Sequence, residues 1–255
     1  MTQAACTGSC DSRAGKHKRR PSSHRWMQEH VNDPYVQAAR RDGYRSRAAY
    51  KLLELQTSLR SRTGVMVPLL REGMSVLDLG AAPGGWSQVA ARLTASSRAV
   101  GGGLVIAVDR LPMDPVPDVV TLQGDFLEES TWTAIREQLA AHGRTGIDRL
   151  LSDMAPNMSG VRSVDQLRGA ALAEAALECA LELLHDGGGM VLKLFHGTEF
   201  QTVLRQVQAL FQQVRVVKPS ASRDRSPEQY LVASGYRRGA AATARTDGQD
   251  GCQDG

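Results

Sequence analysis

Asp78-Leu79-Gly80-Ala81-Ala82-Pro83-Gly84-Gly85-Trp86-Ser87-Gln88 decides the fold of this chain. It closes a short apolar run, MSVLDLG (74–80), that reads as a buried strand, and it leads into SQVAARLTA, which suits a helix. Small residues between a strand and a helix let a ligand approach the main chain, and the helix N-terminus offers it free N–H groups. The dinucleotide fingerprint G-x-G-x-x-G is not met. Position 82 is alanine and Pro83 stiffens the loop, which disfavours a nicotinamide cofactor.

Outward from this loop the same alternation repeats. LVIAVD (104–109) and DVVTLQ read as strands, TWTAIREQLAAH as a helix, IDRLLSD as a strand and DQLRGAALAEAALECALELLH as a long helix. GMVLKLF, TEFQTVLRQVQALFQQ, VRVVKP and QYLVASGY then give strand, helix, strand, strand. Strands alternating with helices predict an α/β fold with a mostly parallel sheet and helices on both faces. The last two strands have no helix between them, so one antiparallel strand is expected in the edge region. Before the loop, RSRAAYKLLELQTSLR (45–60) sets Ala48, Leu52, Leu55 and Leu59 at helical spacing, with Ser46 as its candidate cap and Lys51 on the helix.

With 255 residues, 42% of them hydrophobic and 23% charged, the chain has the composition of a folded globular protein. No apolar run approaches the ~18 residues of a membrane span, and no apolar segment follows the early positive charges as in a signal peptide, so a cytoplasmic protein without membrane contact is expected. The four cysteines form no disulfide framework: Cys179 sits in an apolar helical pattern, and Cys6, Cys10 and Cys252 lie in polar tails. Cys6 and Cys10 with His17 and His24 match no zinc pattern, so no metal is expected. Charge is segregated. Residues 1–62 carry a net +8 and the rest a net −4, which suggests a polyanion approaching from one side. Residues 1–23 read as a disordered basic arm, 24–236 as the folded domain and 237–255 as a disordered tail.

Charged residues at strand ends mark the candidate site, because ligands of open α/β sheets bind beyond the carboxyl ends of strands. Asp109 ends the second strand, placed for a ribose diol. Asp125 follows the third, placed for an adenine amino group with Phe126 against the ring. Asp153 follows the next strand, in SDMAPNMSG. Lys193 interrupts the apolar run MVLKLF, where a lysine is rare unless paired or snorkelling at a strand end, and Glu228 precedes the last strand.

Six separated stretches, DPYVQAARRDGYRSRAAYKL, LDLGAAPGGWSQVA, GDF, SDMAPNMSG, VLKLFHGTEF and KPSASRDRSPEQYLVASG, resemble in order the RlmE/FtsJ (RrmJ) family of 23S rRNA ribose 2′-O-methyltransferases. The resemblance covers about residues 24 to 236. It implies a class I methyltransferase sheet of seven strands (Rossmann-like), S-adenosylmethionine as donor, and a Lys-Asp-Lys-Glu tetrad. Matched motif by motif, that tetrad is Lys51, Asp153, Lys193 and Glu228. The cofactor residues are Gly84, Trp86, Asp109 and Asp125, with Gly80, Pro83, Gly85 and Phe126 lining the site. The implied substrate is an A-loop uridine of 23S rRNA on the assembled 50S subunit, bound by a monomer.

The residue types suit that chemistry. The donor methyl is already activated, so the task is to align an in-line transfer and handle one proton. Lys193 is assigned to the hydroxyl, as base if neutral or as stabiliser of a developing alkoxide if charged, with Asp153 orienting it and Lys51 and Glu228 tuning the field. Arg40, Arg41, Arg45 and Arg47 are expected to contact RNA phosphates, with Tyr44 and Tyr50 as candidate stacking residues. A non-catalytic ribosome-assembly protein would not need the quartet, and a small-molecule methyltransferase would not need the arginines. The alternatives are that non-catalytic ribosome-assembly RNA-binding protein and a methyltransferase acting on another RNA ribose.

Overall fold

The computed structural model describes residues 32–239 except 62, 99 and 224. The basic arm with Cys6, Cys10, His17 and His24, and the tail from residue 240 with Cys252, lie outside the described residues. The described chain runs α1 (Pro34–Arg41), α2 (Ala48–Leu55), β1 (Leu59–Arg60), β2 (Met66–Val67), β3 (Ser75–Leu79), α3 (Gly85–Thr94), β4 (Leu104–Asp109) and β5 (Val120–Gln123). It continues with α4 (Glu129–Ala141), β6 (Ile147–Ser152), α5 (Arg162–Leu183), β7 (Leu184–Phe195), α6 (Phe200–Leu210), β8 (Phe211–Val217) and β9 (Glu228–Tyr236). Seven strands form one sheet in the order β5-β4-β3-β6-β7-β9-β8, and β1 pairs with β2 in a small ribbon. Every pair from β5 to β7 is parallel, whereas β9 runs antiparallel to both neighbours. The antiparallel strand of the edge region is therefore β9, one position in, with β8 outside it.

Period-two side chains divide the core. From β3, Leu77 and Leu79 point to the face covered by α4, α5 and α6, while Val76 points to the face covered by α1, α2 and α3. Leu151, Val191, Tyr230 and Val232 share that second face, so residues two further along β6 and β7, and two earlier on β9, point the same way. The chain leaves β3 toward β4 and β5, then crosses back to β6 on the other side, so β3 and β6 bound a topological switch point.

The helix expected over 45–60 is shorter. It ends at Leu55, where Ser58 Oγ donates to the Leu55 carbonyl, and Leu59 instead pairs with Val67 in the ribbon. Ser46 is not its cap: the N-cap position is Arg47, and Ser46 Oγ is buried without a hydrogen-bond partner, facing Gly85. In α1, by contrast, Asp33 caps the helix by accepting from the backbone of Tyr35 and Val36, ahead of Pro34 in the first turn.

Candidate active site

Strand register brings the four charged residues to one end and one face of the sheet. Leu79 lies opposite Ser152, so the glycine loop and Asp153 emerge side by side. Because β9 is antiparallel to β7, its first residue reaches β7's last: Phe195 pairs with Glu228 and Lys193 with Tyr230. Lys51 comes from α2, which packs on that same face. The charges close a ring. Lys51 Nζ is 2.8 Å from Glu228 Oε1 and 3.8 Å from Asp153 Oδ1, and Lys193 Nζ is 3.2 Å from Asp153 Oδ1 and 3.5 Å from Glu228 Oε2.

A fifth member was not read from the sequence. Tyr230 Oη donates to Asp153 Oδ1 at 2.6 Å and accepts from Lys51 Nζ at 3.0 Å. Its place two residues after Glu228 on one strand face was the available signal. The ring is deeply set, with Lys193 and Glu228 side chains only 10% and 9% exposed. Burial opposes the Lys193 charge, yet Asp153 and Glu228 outweigh it and hold the amine above the ordinary lysine value. Burial likewise opposes ionisation of Glu228, but Lys51 and Lys193 pull its carboxyl down to about 2. For the Tyr230 phenol, burial and then the carboxylates of Asp153 and Glu228 all push upward, so it stays a protonated donor.

Side chains of α2 lock the loop before β9 onto this ring. Glu54 accepts from Ser220 N, Ser220 Oγ and Ala221 N at 2.6 to 2.9 Å. Arg47, preceding the helix, pairs with Asp33 and donates to the Ala221 carbonyl. Lys51 lies between these two anchors on the helix, so its distance to Glu228 is fixed from both sides.

On the other side of Asp153, a cavity of about 60 Å³ is lined by Ser46, Ala48, Asp78, Gly80 to Pro83, Gly85, Trp86 and Asp153. Asp78 is buried and accepts from Ser87 Oγ at 2.6 Å. Burial pushes its carboxyl up to about 7, against the lowering effect of the Ser87 bond, with Asp153 and Asp109 adding to the rise. Asp109 accepts from Ala82 N and Leu111 N at 2.9 and 2.8 Å, holding the glycine loop, and Asp125 accepts from Leu127 N at 3.0 Å. Each of these bonds leaves carboxylate lone pairs for a ligand hydroxyl or amine.

Several expected roles change. Phe126 is 7% exposed and packs with the core under α4. Gly84, at φ +105°, faces Val116, Met113 and Arg45, so its lack of a side chain serves packing of the loop over 113–116. Trp86 lines the small cavity but is fixed by its Nε1 bond to the Ala48 carbonyl and by its ring against Tyr230, centroids 5.8 Å apart. Arg45 donates to the carbonyls of Pro83, Asp114 and Pro115, and Arg47 is committed as above. Neither is set up as a phosphate ligand; of the four arginines, Arg40 and Arg41 are the exposed ones, Arg41 pairing with Asp42. Tyr44 is buried, its hydroxyl accepting from Arg92, and Tyr50 packs against it edge-on and donates to Asp42. Both tyrosines belong to the α1–α2 packing, which excludes base stacking by Tyr44.

Among the described residues no group of three or more His, Cys, Asp or Glu side chains has the arrangement of a metal site, and no helix is long and apolar enough to cross a membrane.

Comparison with known proteins agrees with this architecture. The family model described as FtsJ-like methyltransferase matches residues 44–236. The chain is 52% identical over 220 residues to ribosomal RNA large subunit methyltransferase E of Magnetococcus marinus, covering 86% of this chain and 99% of that protein. It is 49% identical over 220 residues to the protein of the same name from Pseudomonas fluorescens, covering 86% and 97%. Among solved structures, a protein described as a ribosomal RNA methyltransferase from Plasmodium falciparum superposes with a TM-score of 0.63 at 28% identity, over 76% of this chain and 98% of that one.

Proposed function

The chain belongs to the FtsJ-like methyltransferase family, and from that premise we propose that it methylates the ribose 2′-hydroxyl of an A-loop uridine in 23S rRNA, with S-adenosylmethionine as donor. The observation that carries the reading is the position of Asp153. Its carboxylate belongs both to the closed charge ring and to the cavity behind the glycine loop, so a donor and an acceptor bound on its two sides would meet across it.

The residues around the glycine loop fit the donor's chemistry. Acids stand at the ends of β3, β4 and β5 for its cationic and hydroxyl-bearing groups, and the Ser46 hydroxyl is buried there without a partner. Asp109 and Asp125 would hold the nucleoside, and Asp78 with the free end of the loop the amino-acid part. Room must be made, because about 60 Å³ is far below the ~300 Å³ at which small-ligand pockets begin. Met154 is the side chain that fills the space over Gly80, and its three flexible torsions let it withdraw at low cost.

When bound, the cofactor supplies a sulfonium methyl group. The chain's residues do the rest. Lys193, held above the ordinary lysine pKa, is an ammonium at neutral pH, so it orients an oxygen lone pair and stabilises negative charge developing there. Asp153 Oδ1 is occupied by Tyr230 and Lys193, which leaves Oδ2 to accept the hydroxyl proton as the C–O bond forms. Lys51 and Glu228 fix the two active groups in place and keep the ring near neutrality.

The basic N-terminal segment, with Arg40 and Arg41 exposed, supports an RNA substrate held by its phosphates. A monomer acting in the cytoplasm on the assembled 50S subunit completes the proposal, with residues 24–236 as the enzyme domain. The test is transfer of labelled methyl from S-adenosylmethionine to undermethylated 50S particles and to protein-free 23S RNA at equal salt. Label in a 2′-O-methyluridine, with the particles preferred, is the expected result. Label on a base atom would overturn it.

A further inference from the structure

Two larger hollows lie on the side of the ring away from the glycine loop. The first, about 500 Å³, is lined by Lys51 and Glu228 of the ring together with Arg47, Ala48, Arg223, Arg225 and Ser226. The second, about 440 Å³, lies beyond it, against Tyr35, Ser220 and Ser222. Arg47, Arg223 and Arg225 line both, so the two form one groove with an arginine wall at the join. The second hollow touches none of the four ring residues, and the reaction gives it no role.

Resting on the RNA reading above, we propose that the second hollow is a nucleotide subsite that takes the residue next to the target in a single-stranded segment of RNA. A polymer substrate whose ribose sits at the ring must carry its neighbour away along a connected channel. The groove past Arg223 and Arg225 has both the volume and the charge for it. The volume of each hollow falls in the small-ligand range of about 300 to 1,000 Å³.

The lining suits the phosphate and the base of a nucleotide. Arg223 and Arg225 stand where the linking phosphodiester passes, and guanidinium groups bind phosphate oxygens in pairs. Tyr35 lines the hollow, its ring steadied by the Arg47 guanidinium 5.6 Å from its centroid and by the Tyr50 ring at 5.5 Å, and it gives an unpaired base an aromatic wall to pack against. Ser220 and Ser222 line the rest of the hollow, Ser222 at 4% exposure and Ser220 held by Glu54. Arg47 is not the phosphate ligand, because its two terminal nitrogens are held by Asp33 and the Ala221 carbonyl. Those bonds hold its guanidinium against the Tyr35 ring.

The experiment uses a short RNA hairpin carrying the A loop, and two copies made abasic at the nucleotide just 5′ or just 3′ of the target. With the full chain, one abasic copy is expected to raise KM about tenfold. Tyr35→Leu should raise KM for the intact hairpin to the same level, and that abasic change should then cost nothing more. Arg223→Ala with Arg225→Ala should reduce the slope of log affinity against log salt by about 1.4, as for two phosphate contacts on a single strand. If neither abasic copy changes KM for the unaltered protein, or if the abasic and Tyr35→Leu penalties multiply, the subsite is wrong while the methylation reading stands. If the intact hairpin and the 50S particle both take no methyl, both readings fall.

Discussion

Tyr230 Oη donates a 2.6 Å hydrogen bond to Asp153 Oδ1. That bond joins the loop after β6 to the antiparallel strand β9, and it occupies the carboxylate oxygen nearest Lys193. With Lys51 Nζ donating to the same hydroxyl at 3.0 Å, Tyr230 acts as a positioning residue. Tyr230→Phe should lower the transfer rate about tenfold and cost about 1 to 2 kcal/mol of stability, because Asp153 and Lys51 both lose the buried hydroxyl that joins them. An unchanged rate would reduce the hydroxyl to packing.

The arginines divide by what their guanidinium groups already hold. Arg40→Ala with Arg41→Ala should flatten the salt dependence of RNA binding. Arg45→Ala should leave that slope alone and instead weaken cofactor binding, because it frees the glycine loop at Pro83 from the 114–115 backbone. Filter binding across a salt series, with calorimetry on the cofactor, separates the two. A slope change for Arg45→Ala would return it to the RNA surface.

Gly84→Ala should destabilise the fold by about 1 to 3 kcal/mol, since φ +105° is open to glycine and an added Cβ meets Val116. For a chain of this size that lowers Tm by roughly 2 to 12 °C. The melting shift should appear without any ligand present; a normal Tm with lost cofactor affinity would contradict the packing role found for this glycine.

Two carboxyls give stability opposite slopes with pH. Glu228, lowered to about 2 from an ordinary value of 4.5, contributes stability that is complete above pH 4.5 and is lost as pH falls toward 2. Asp78, raised from 3.8 to about 7, binds more protons folded than unfolded, so stability declines as pH rises from about 4 through 7. Asp78→Asn should therefore raise Tm at pH 8 and flatten the decline between pH 4 and 7, while Glu228→Gln should lower Tm at pH 7 and flatten the acid limb. Melting curves across pH check both signs. A fall in Tm at pH 8 for Asp78→Asn would show its charged form to be favoured.

The sheet was legible because its central strands β3, β4 and β6 are buried on both faces and read as apolar runs ended by glycine or an acid. The ring was legible because Lys193 and the strand-end acids break those runs. Tyr230 was not, since an aromatic residue in QYLVASG looks like core until the antiparallel register with Lys193 is known. The burial of Phe126 under α4 was equally hidden, since its position after Asp125 gives no sign of core packing. Charge counting also misplaced Arg45, whose acceptors are backbone carbonyls up to 70 residues away that no local pattern reveals. Glu54 and its hold on Ser220 and Ala221 were hidden for the same reason.

The central claim is that Asp153 and Lys193 act on the acceptor hydroxyl and do not hold the cofactor. The direct measurement is single-turnover methyl transfer to undermethylated 50S particles, with nucleoside analysis, beside calorimetric S-adenosylmethionine affinity, for the unaltered chain and for Asp153→Ala and Lys193→Ala. The account predicts 2′-O-methyluridine from the unaltered chain, loss of transfer in both variants by a factor of at least about 100, and cofactor affinity within about threefold. Retained transfer with lost cofactor affinity would contradict it.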